Sequence, residues 1–466
     1  MPELDEQTDL SPSPPRELIE VDDELMGDIE ELVRSKSDFL LLNIIQDLYP
    51  ADIAHIMNRL DSDQAEYVFG LLPGEVGGET LLHLDVSHRE DLLKKLDRLR
   101  LQEILIGMAS DDAADIVGLL PQDEAAEILA KMDVRESSRV EELLHYDERT
   151  AGGIMEKETA DVNYKDTLKK AIKEVREFAK NHKNVYSVYV TDDNGVLVGH
   201  VPLQDLLIHA PNRRVHKIMN SDVISVTTDV DQEEVARVVK KYGIVSVPVT
   251  DKAGKLLGRI TVDDIVDVIE EEHEEDVARL VGSEAMELER RSPAQIAFLR
   301  LPWVMITLVL EFFAGVVVHQ FDKTLSQVIL LASFMPIISA ISGNTGLQSA
   351  AMIVRGIATG TINIKNWWIP VTRQFQTTLI IGSVCGLTIG SVGAVWHGHW
   401  VFGVAVGVSM FLSINISGFV GTVTPMISKG FGFDPAITAG PFETAFQDVV
   451  GITIFLSIAT LLLQWL

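Results

Sequence analysis

The sequence predicts a multidomain membrane protein with four parts: an all-α superhelical N-terminal domain, an α+β tandem pair, an acidic connecting helix and an all-α transmembrane domain of five helices. Three observations carry this prediction. From about residue 298 onward the chain falls into five long apolar stretches separated by short loops. The phrase AEYVFGLLP (65 to 73) returns as ADIVGLLP (114 to 121), a helical repeat. YSVYVTDDNGVLVGHVPLQDLL (186 to 207) returns as VSVPVTDKAGKLLGRITVDDIV (245 to 266), with β-rich runs on either side of a turn.

Residues 1 to 20 are acidic and Pro-rich, with neither a basic nor an apolar leader region; they read as a disordered tail rather than a signal peptide. Residues 21 to 150 show helical periodicity and repeated turns. Short helix pairs of this kind stack into a solenoid, each burying one apolar stripe against the next. Asp111, Asp112 and Asp115 stand at a helix start, where carboxylates cap free N–H groups and favour the helix dipole.

Residues 151 to 270 hold two copies of a unit that reads helix, strand, turn, strand, helix, with turns at Asn194-Gly195 and Ala253-Gly254. The pair resembles tandem CBS domains. The hallmark of that module appears in the second copy as Gly258, Thr261 and Asp264, and the resemblance implies that Thr261 and Asp264 hold the phosphates and ribose of an adenine nucleotide. The first copy has Pro202 where the threonine would stand, which argues against a nucleotide there.

The run DDIVDVIEEEHEED (263 to 276) is mostly Asp and Glu and contains no Lys or Arg. Like charges three to five apart oppose a helix by about a few tenths of a kcal/mol per pair, so either a basic surface elsewhere or divalent cations must neutralise them. Carboxylate oxygens are the ligands such cations prefer. A connecting helix is expected over 271 to 297.

The five spans are expected at about 298 to 319, 325 to 351, 373 to 396, 400 to 427 and 438 to 466, within a membrane domain of residues 298 to 466. Arg290, Arg291 and Arg300 precede the first; Arg355, Lys365 and Arg373 lie between the second and third; Lys429 follows the fourth. The positive-inside rule then places the N-terminus in the cytoplasm and the C-terminus outside. Cys385 is the single cysteine, so the chain has no internal disulfide framework and its soluble half suits a reducing compartment.

Charge divides sharply. Residues 297 to 466 carry a net +1, leaving −31 on the first 296. That half repels nucleic acid and attracts cations. Within the last span Asp448 lies about 10 Å from the helix start at Pro441, where an ionised carboxylate costs about 2.5 to 3.5 kcal/mol on insertion scales. It is read as the only deeply buried charge, on a helix running from Pro441 to Leu466. Asn344, Gln348 and Asn415 also sit at bilayer depth and need internal partners or water.

The order of these parts, with GNTGLQSA (343 to 350), FDPAITAGPFETAFQD (433 to 448) and VDDIVDVIEEEHEED (262 to 276), resembles the MgtE family of magnesium channels over the chain after residue 20. The resemblance implies a homodimer in the plasma membrane, with Mg2+ as substrate and regulator and Asp448 of each subunit forming the pore site. Asn344, Asn415 and Thr444 are the further pore-lining expectations. It also implies cytosolic Mg2+ sites that close the pore, built from Glu79, Asp111, Asp115, Asp231, Glu233, Asp264, Asp267, Glu272, Glu275 and Asp276. Two positions depart from the family: Gly243 where an acidic ligand can stand, and Leu347 where a polar residue is expected. The alternatives are a channel or carrier for Co2+ or Mn2+, or a membrane-anchored nucleotide sensor with ATP as ligand. An enzyme is disfavoured by the absence of HExxH, GxSxG or paired catalytic carboxylates in the spans.

Overall fold

The structure, a computed structural model, describes residues 21–280 and 293–465 except 107, 181, 183, 363 and 439. The expected tail over 1 to 20 and the middle of the expected connecting helix, 281 to 292, lie outside the described residues. The chain divides into two compact units. One is built from residues up to Gln232 with Ile244–Val262, the other from Glu233–Gly243 with Asp263 onward.

The first unit begins with ten short helices: α1 Asp23–Arg34, α2 Asp38–Ile45, α3 Pro50–Asn58, α4 Ser62–Leu71, α5 Gly74–Leu82, α6 Val86–Lys95, α7 Arg98–Leu105, α8 Ser110–Gly118, α9 Gln122–Leu129 and α10 Val134–Leu143. Their starts follow from the sequence. Asp22 and Asp97 accept backbone N–H bonds at 2.8 Å from Leu25 and Arg100, and Asp61 with Gln64 forms a capping box. Each helix gives its apolar stripe to a shared core in which Phe69, Ile53 and Leu81 are fully buried.

The two copies that follow share one topology. In the first, β1 Asp161–Asn163, α11 Leu168–Phe178, β2 Ser187–Thr191, β3 Leu197–Pro202 and α12 Leu203–Ile208 form a sheet of order β1-β2-β3. β1 runs parallel to β2 and β3 antiparallel to it. The second copy repeats this with β4 Val226–Thr227, α13 Gln232–Tyr242, β5 Ser246–Thr250, β6 Leu256–Thr261 and α14 Val262–Leu280. The bulge recurs at the equivalent place, Val190/Thr191 and Val249/Thr250. Gly195 and Gly254, at φ +80° and +82°, make the two turns that a side chain would strain. The opening strands β1 and β4 were not expected; at three and two residues they are too short to show an alternating pattern. Buried polar contacts tie the helical domain to the segment that leads into β1, and that segment to β6. Glu158, 5% exposed, accepts from Ser110 at 2.7 Å and Arg139 at 2.8 Å, and Glu156 pairs with Arg259 at 2.7 Å.

In the second unit five helices are long and apolar enough to cross a membrane: α15 Pro293–Gln320, α17 Leu331–Ala358, α18 Trp368–His397, α19 Trp400–Gly430 and α21 Pro441–Leu461. Short helices α16 Asp322–Gln327 and α20 Pro435–Thr438 join two of them. The second span thus begins six residues later than its expected start at 325. Val328 leaves helical geometry and puts its side chain into the core with Phe334, Phe402 and Phe455. The last helix is also shorter than expected, ending at Leu461 before a 3-10 turn at Leu463–Trp465.

Glycines set the helix spacing. A Cβ on Gly386 would stand 2.7 Å from the Gly407 carbonyl oxygen, and one on Gly390 2.7 Å from that of Gly403, so α18 and α19 touch backbone to backbone.

Candidate cation site in the membrane half

Two polar faces of α21 follow from helical spacing. Thr444 and Asp448 are four residues apart on one face, and Glu443 and Gln447 are four apart on another. On the first face, Ser339 of α17 donates its hydroxyl to Asp448 Oδ1. Gly343, one turn along α17, brings the two helices together: a Cβ there would lie 3.3 Å from Thr444 Cγ2 and 3.9 Å from Asp448 Oδ1. From the middle of α15 the Glu311 carboxyl lies close enough to the Asp448 carboxyl for the two to interact. Three helices therefore deliver two carboxyls and a hydroxyl to one point at bilayer depth.

Two carboxylates so close repel each other, and in hydrocarbon each is costly alone. A shared divalent cation removes both costs, and its oxygen-preferring chemistry matches every donor present. Among the described residues no three His, Cys, Asp or Glu side chains gather closely enough to form a complete metal cage.

The sequence reading needs two corrections here. Asp448 is not the only deeply buried charge: it is partly exposed, whereas Glu443 is 1% exposed. Nor does Asp448 stand alone at bilayer depth, since Glu311 approaches it. Glu311 was missed although its signal was visible, as the single ionisable residue from Leu301 to Val318.

The other expected pore residues are placed differently. Thr444 stands beside Gly343, and Asn344 is exposed on α17. Asn415 does not join them. It is buried where α18 meets α19, accepting from Thr378 at 3.2 Å and donating to the Phe411 carbonyl at 2.7 Å, so packing accounts for its hydrogen bonds.

The expected sensing residues fall into both units. Glu79 on α5, Asp111 and Asp115 on α8 and Asp231 before α13 belong to the first. Asp111 is 8% exposed while Asp115 and Asp231 are open to solvent. Glu233 on α13 and Asp264, Asp267, Glu272, Glu275 and Asp276 on α14 belong to the second. There Asp276 feels the charges of Asp434, Glu233 and Glu272, and of Lys429. Burial, and then Asp434, Glu233 and Glu272, push the Asp276 carboxyl up to about 6 against the opposing pull of Lys429. Arg279 bridges Glu275 and Asp434. Asp434 was not among the expected site residues; it also caps α20 by accepting the Ala436 N–H at 2.8 Å.

Thr261 is buried at the end of β6 and Asp264 lies in the first turn of α14, in different units. Gly243 has a physical reason for departing from an acidic ligand: it ends α13 at φ +62°, a left-handed position that disfavours a side chain. Leu347 lies beside Gly346 on α17, partly buried.

Comparison with known proteins gives a consistent pattern. The sequence profile of MgtE, a divalent cation transporter, matches residues 335–458, that of the MgtE intracellular N domain residues 48–149, and that of the CBS domain residues 151–211 and 215–271. The chain is 32% identical to the magnesium transporter MgtE of Thermus thermophilus over 95% of its own length and all of that protein. It is 32% identical to the magnesium transporter MgtE of Bacillus subtilis, covering 94% and 97% of the two chains. Among solved structures it resembles the cytosolic domain of the Mg2+ channel MgtE in complex with ATP, at 33% identity and a TM-score of 0.50, over 52% of this chain and 99% of that one.

Proposed function

This chain belongs to the MgtE family of magnesium transporters, and from that membership we propose that it is a Mg2+-selective channel, taking up magnesium across the plasma membrane and closed by Mg2+ bound to its cytosolic half. The family is one of membrane transporters rather than enzymes. The observation that carries the reading is the meeting of Glu311, Ser339 and Asp448 at bilayer depth. Mg2+ gives up its water reluctantly, so a site with few protein donors suits a hydrated ion held through its water shell. A homodimer would bring a second Asp448 across the two-fold axis and complete the ring. Negative charge then concentrates cations, while water-mediated contact keeps the site weak enough for release.

The Lys and Arg distribution supports an N-terminus in the cytoplasm and a C-terminus outside. On that arrangement the acids of α13 and α14, with Asp434, stand on the cytosolic side. Mg2+ bound among them removes their mutual repulsion, and the energy of that binding closes the pore. An adenine nucleotide is the second regulatory ligand: ATP is bound to the cytosolic domain of a similar channel, and Thr261 and Asp264 are the residues assigned to it here.

The experiment is uptake by purified protein in liposomes, comparing Mg2+, Co2+, Mn2+ and Ca2+. Mg2+ is expected to lead, and Asp448→Ala to abolish uptake while the protein stays folded. Parent-like flux in that variant would overturn the pore assignment.

A further inference from the structure

The second polar face of α21 is not used by the site just described. Glu443 and Gln447 are each 1% exposed, and neither Glu443 carboxylate oxygen completes a hydrogen bond. Gln447, one turn along, faces it, yet the Gln447 amide nitrogen is also without a partner. So is the hydroxyl of Ser413 on α19, 1% exposed, which borders the same α21 face two turns further on at Gly451. These are orphan polar groups at or near bilayer depth, where each costs free energy comparable to a lost hydrogen bond.

The seam around Glu443 is shut by packing. A Cβ on Gly346 would collide with the Glu443 carboxyl and the Ser417 hydroxyl, and Ser417 ties α19 to α17 by donating to the Ser342 carbonyl. Among the described residues Glu443 has no ion pair. A carboxylate enclosed in this way favours any arrangement that supplies it with a cation. The oxygens available, from carboxylate, amide and hydroxyl, are those of a hard divalent ion. Glu443 is also five residues, about 7.5 Å, nearer than Asp448 to the start of α21, which is the cytosolic end in the topology given above.

We propose that Glu443 and Gln447 form a second divalent-cation station on the cytosolic side of Asp448, closed in this conformation by α17 and α19 and opened when those helices part from α21. The station rests on the reading that Mg2+ passes Asp448. It makes Glu443 the next carboxylate a departing ion meets, and its unsatisfied oxygens favour the parted helices over the packed ones.

Full-length parent, Asp448→Asn, Glu443→Gln and Glu443→Asp are compared for Mg2+ uptake in liposomes, with thermal unfolding followed for each. Glu443→Gln, which keeps size and loses charge, is expected to lower uptake about tenfold, the lower end of what losing a group that supports a metal site costs; Glu443→Asp should restore most of it. In a Cys385→Ser background, Gln447→Cys is expected to react with a charged, water-soluble thiol reagent at low Mg2+ and to be protected at high Mg2+. Glu443→Gln with the parent's uptake, or Gln447→Cys unreactive under both conditions, overturns the station alone. A parent that takes up no Mg2+ overturns the transport reading on which it rests.

Discussion

An ionised carboxylate at the depth of Asp448 costs about 2.5 to 3.5 kcal/mol on insertion scales, and a second one beside it adds repulsion that one divalent ion can remove. Glu311 is that second group, so Glu311→Gln should weaken Mg2+ affinity in uptake assays by about tenfold without unfolding the protein, and Asp448→Asn should lose most of its flux. Equal Mg2+ dependence in Glu311→Gln and parent would remove Glu311 from the site. Asp276 makes a separate prediction about pH. Its carboxyl is raised from 3.8 to about 6 by burial first and then by Asp434, Glu233 and Glu272. The packed state therefore binds more protons than the unfolded one between those values, so the packing is favoured below about 4 and that advantage is lost as pH rises through about 6. At low Mg2+ this part of the chain should resist protease better at pH 5 than at pH 7.5, and Asp276→Asn should remove the difference.

At the scale of elements, α14 holds its acids in one helix without a Lys until Arg279 closes its last turn. Neutralising Asp264, Asp267, Glu275 and Asp276 together should give a channel that stays open at high internal Mg2+ in patch or liposome recordings. Closure at the parent's Mg2+ concentration would reduce α14 to a solvated spacer. The α18–α19 crossing depends instead on missing side chains. Gly386→Leu places a Cβ 2.7 Å from the Gly407 carbonyl oxygen, so the helices must separate, at a cost of about 1 to 3 kcal/mol for overpacking. A lowered unfolding temperature in detergent is the expected result.

For the whole molecule, charge divides sharply, −31 on the first 296 residues against +1 on the rest. Labels at the N-terminus and at Leu466 should report opposite sides of the membrane, as the Lys and Arg asymmetry requires. Both labels in the cytoplasm would overturn a five-span topology. A change from 1:99 to 99:1 between open and closed needs about 5.5 kcal/mol of differential binding, a total that several weak Mg2+ sites share more readily than one strong site does.

The sequence by itself determined the parts and their order. Helices close their hydrogen bonds within a few residues, so apolar length was enough to count five spans, and the two repeats were legible as recurring phrases. Charge asymmetry supplied an expected topology, because it needs only loop composition. The tertiary structure decided which side chains meet. Glu311 and Asp448 come from the first and last spans, and Ser339 of the second donates to Asp448 where Gly343 leaves room between α17 and α21. The burial of Glu443 follows from Gly346 and Ser417 on two other helices, and Asp434 reaches Asp276 across a long separation in sequence. Asn415 had the composition of a pore residue, yet its neighbours Thr378 and Phe411 absorb its polarity in a helix crossing. Convergence of this kind is set by crossing geometry and backbone spacing, which no local pattern encodes.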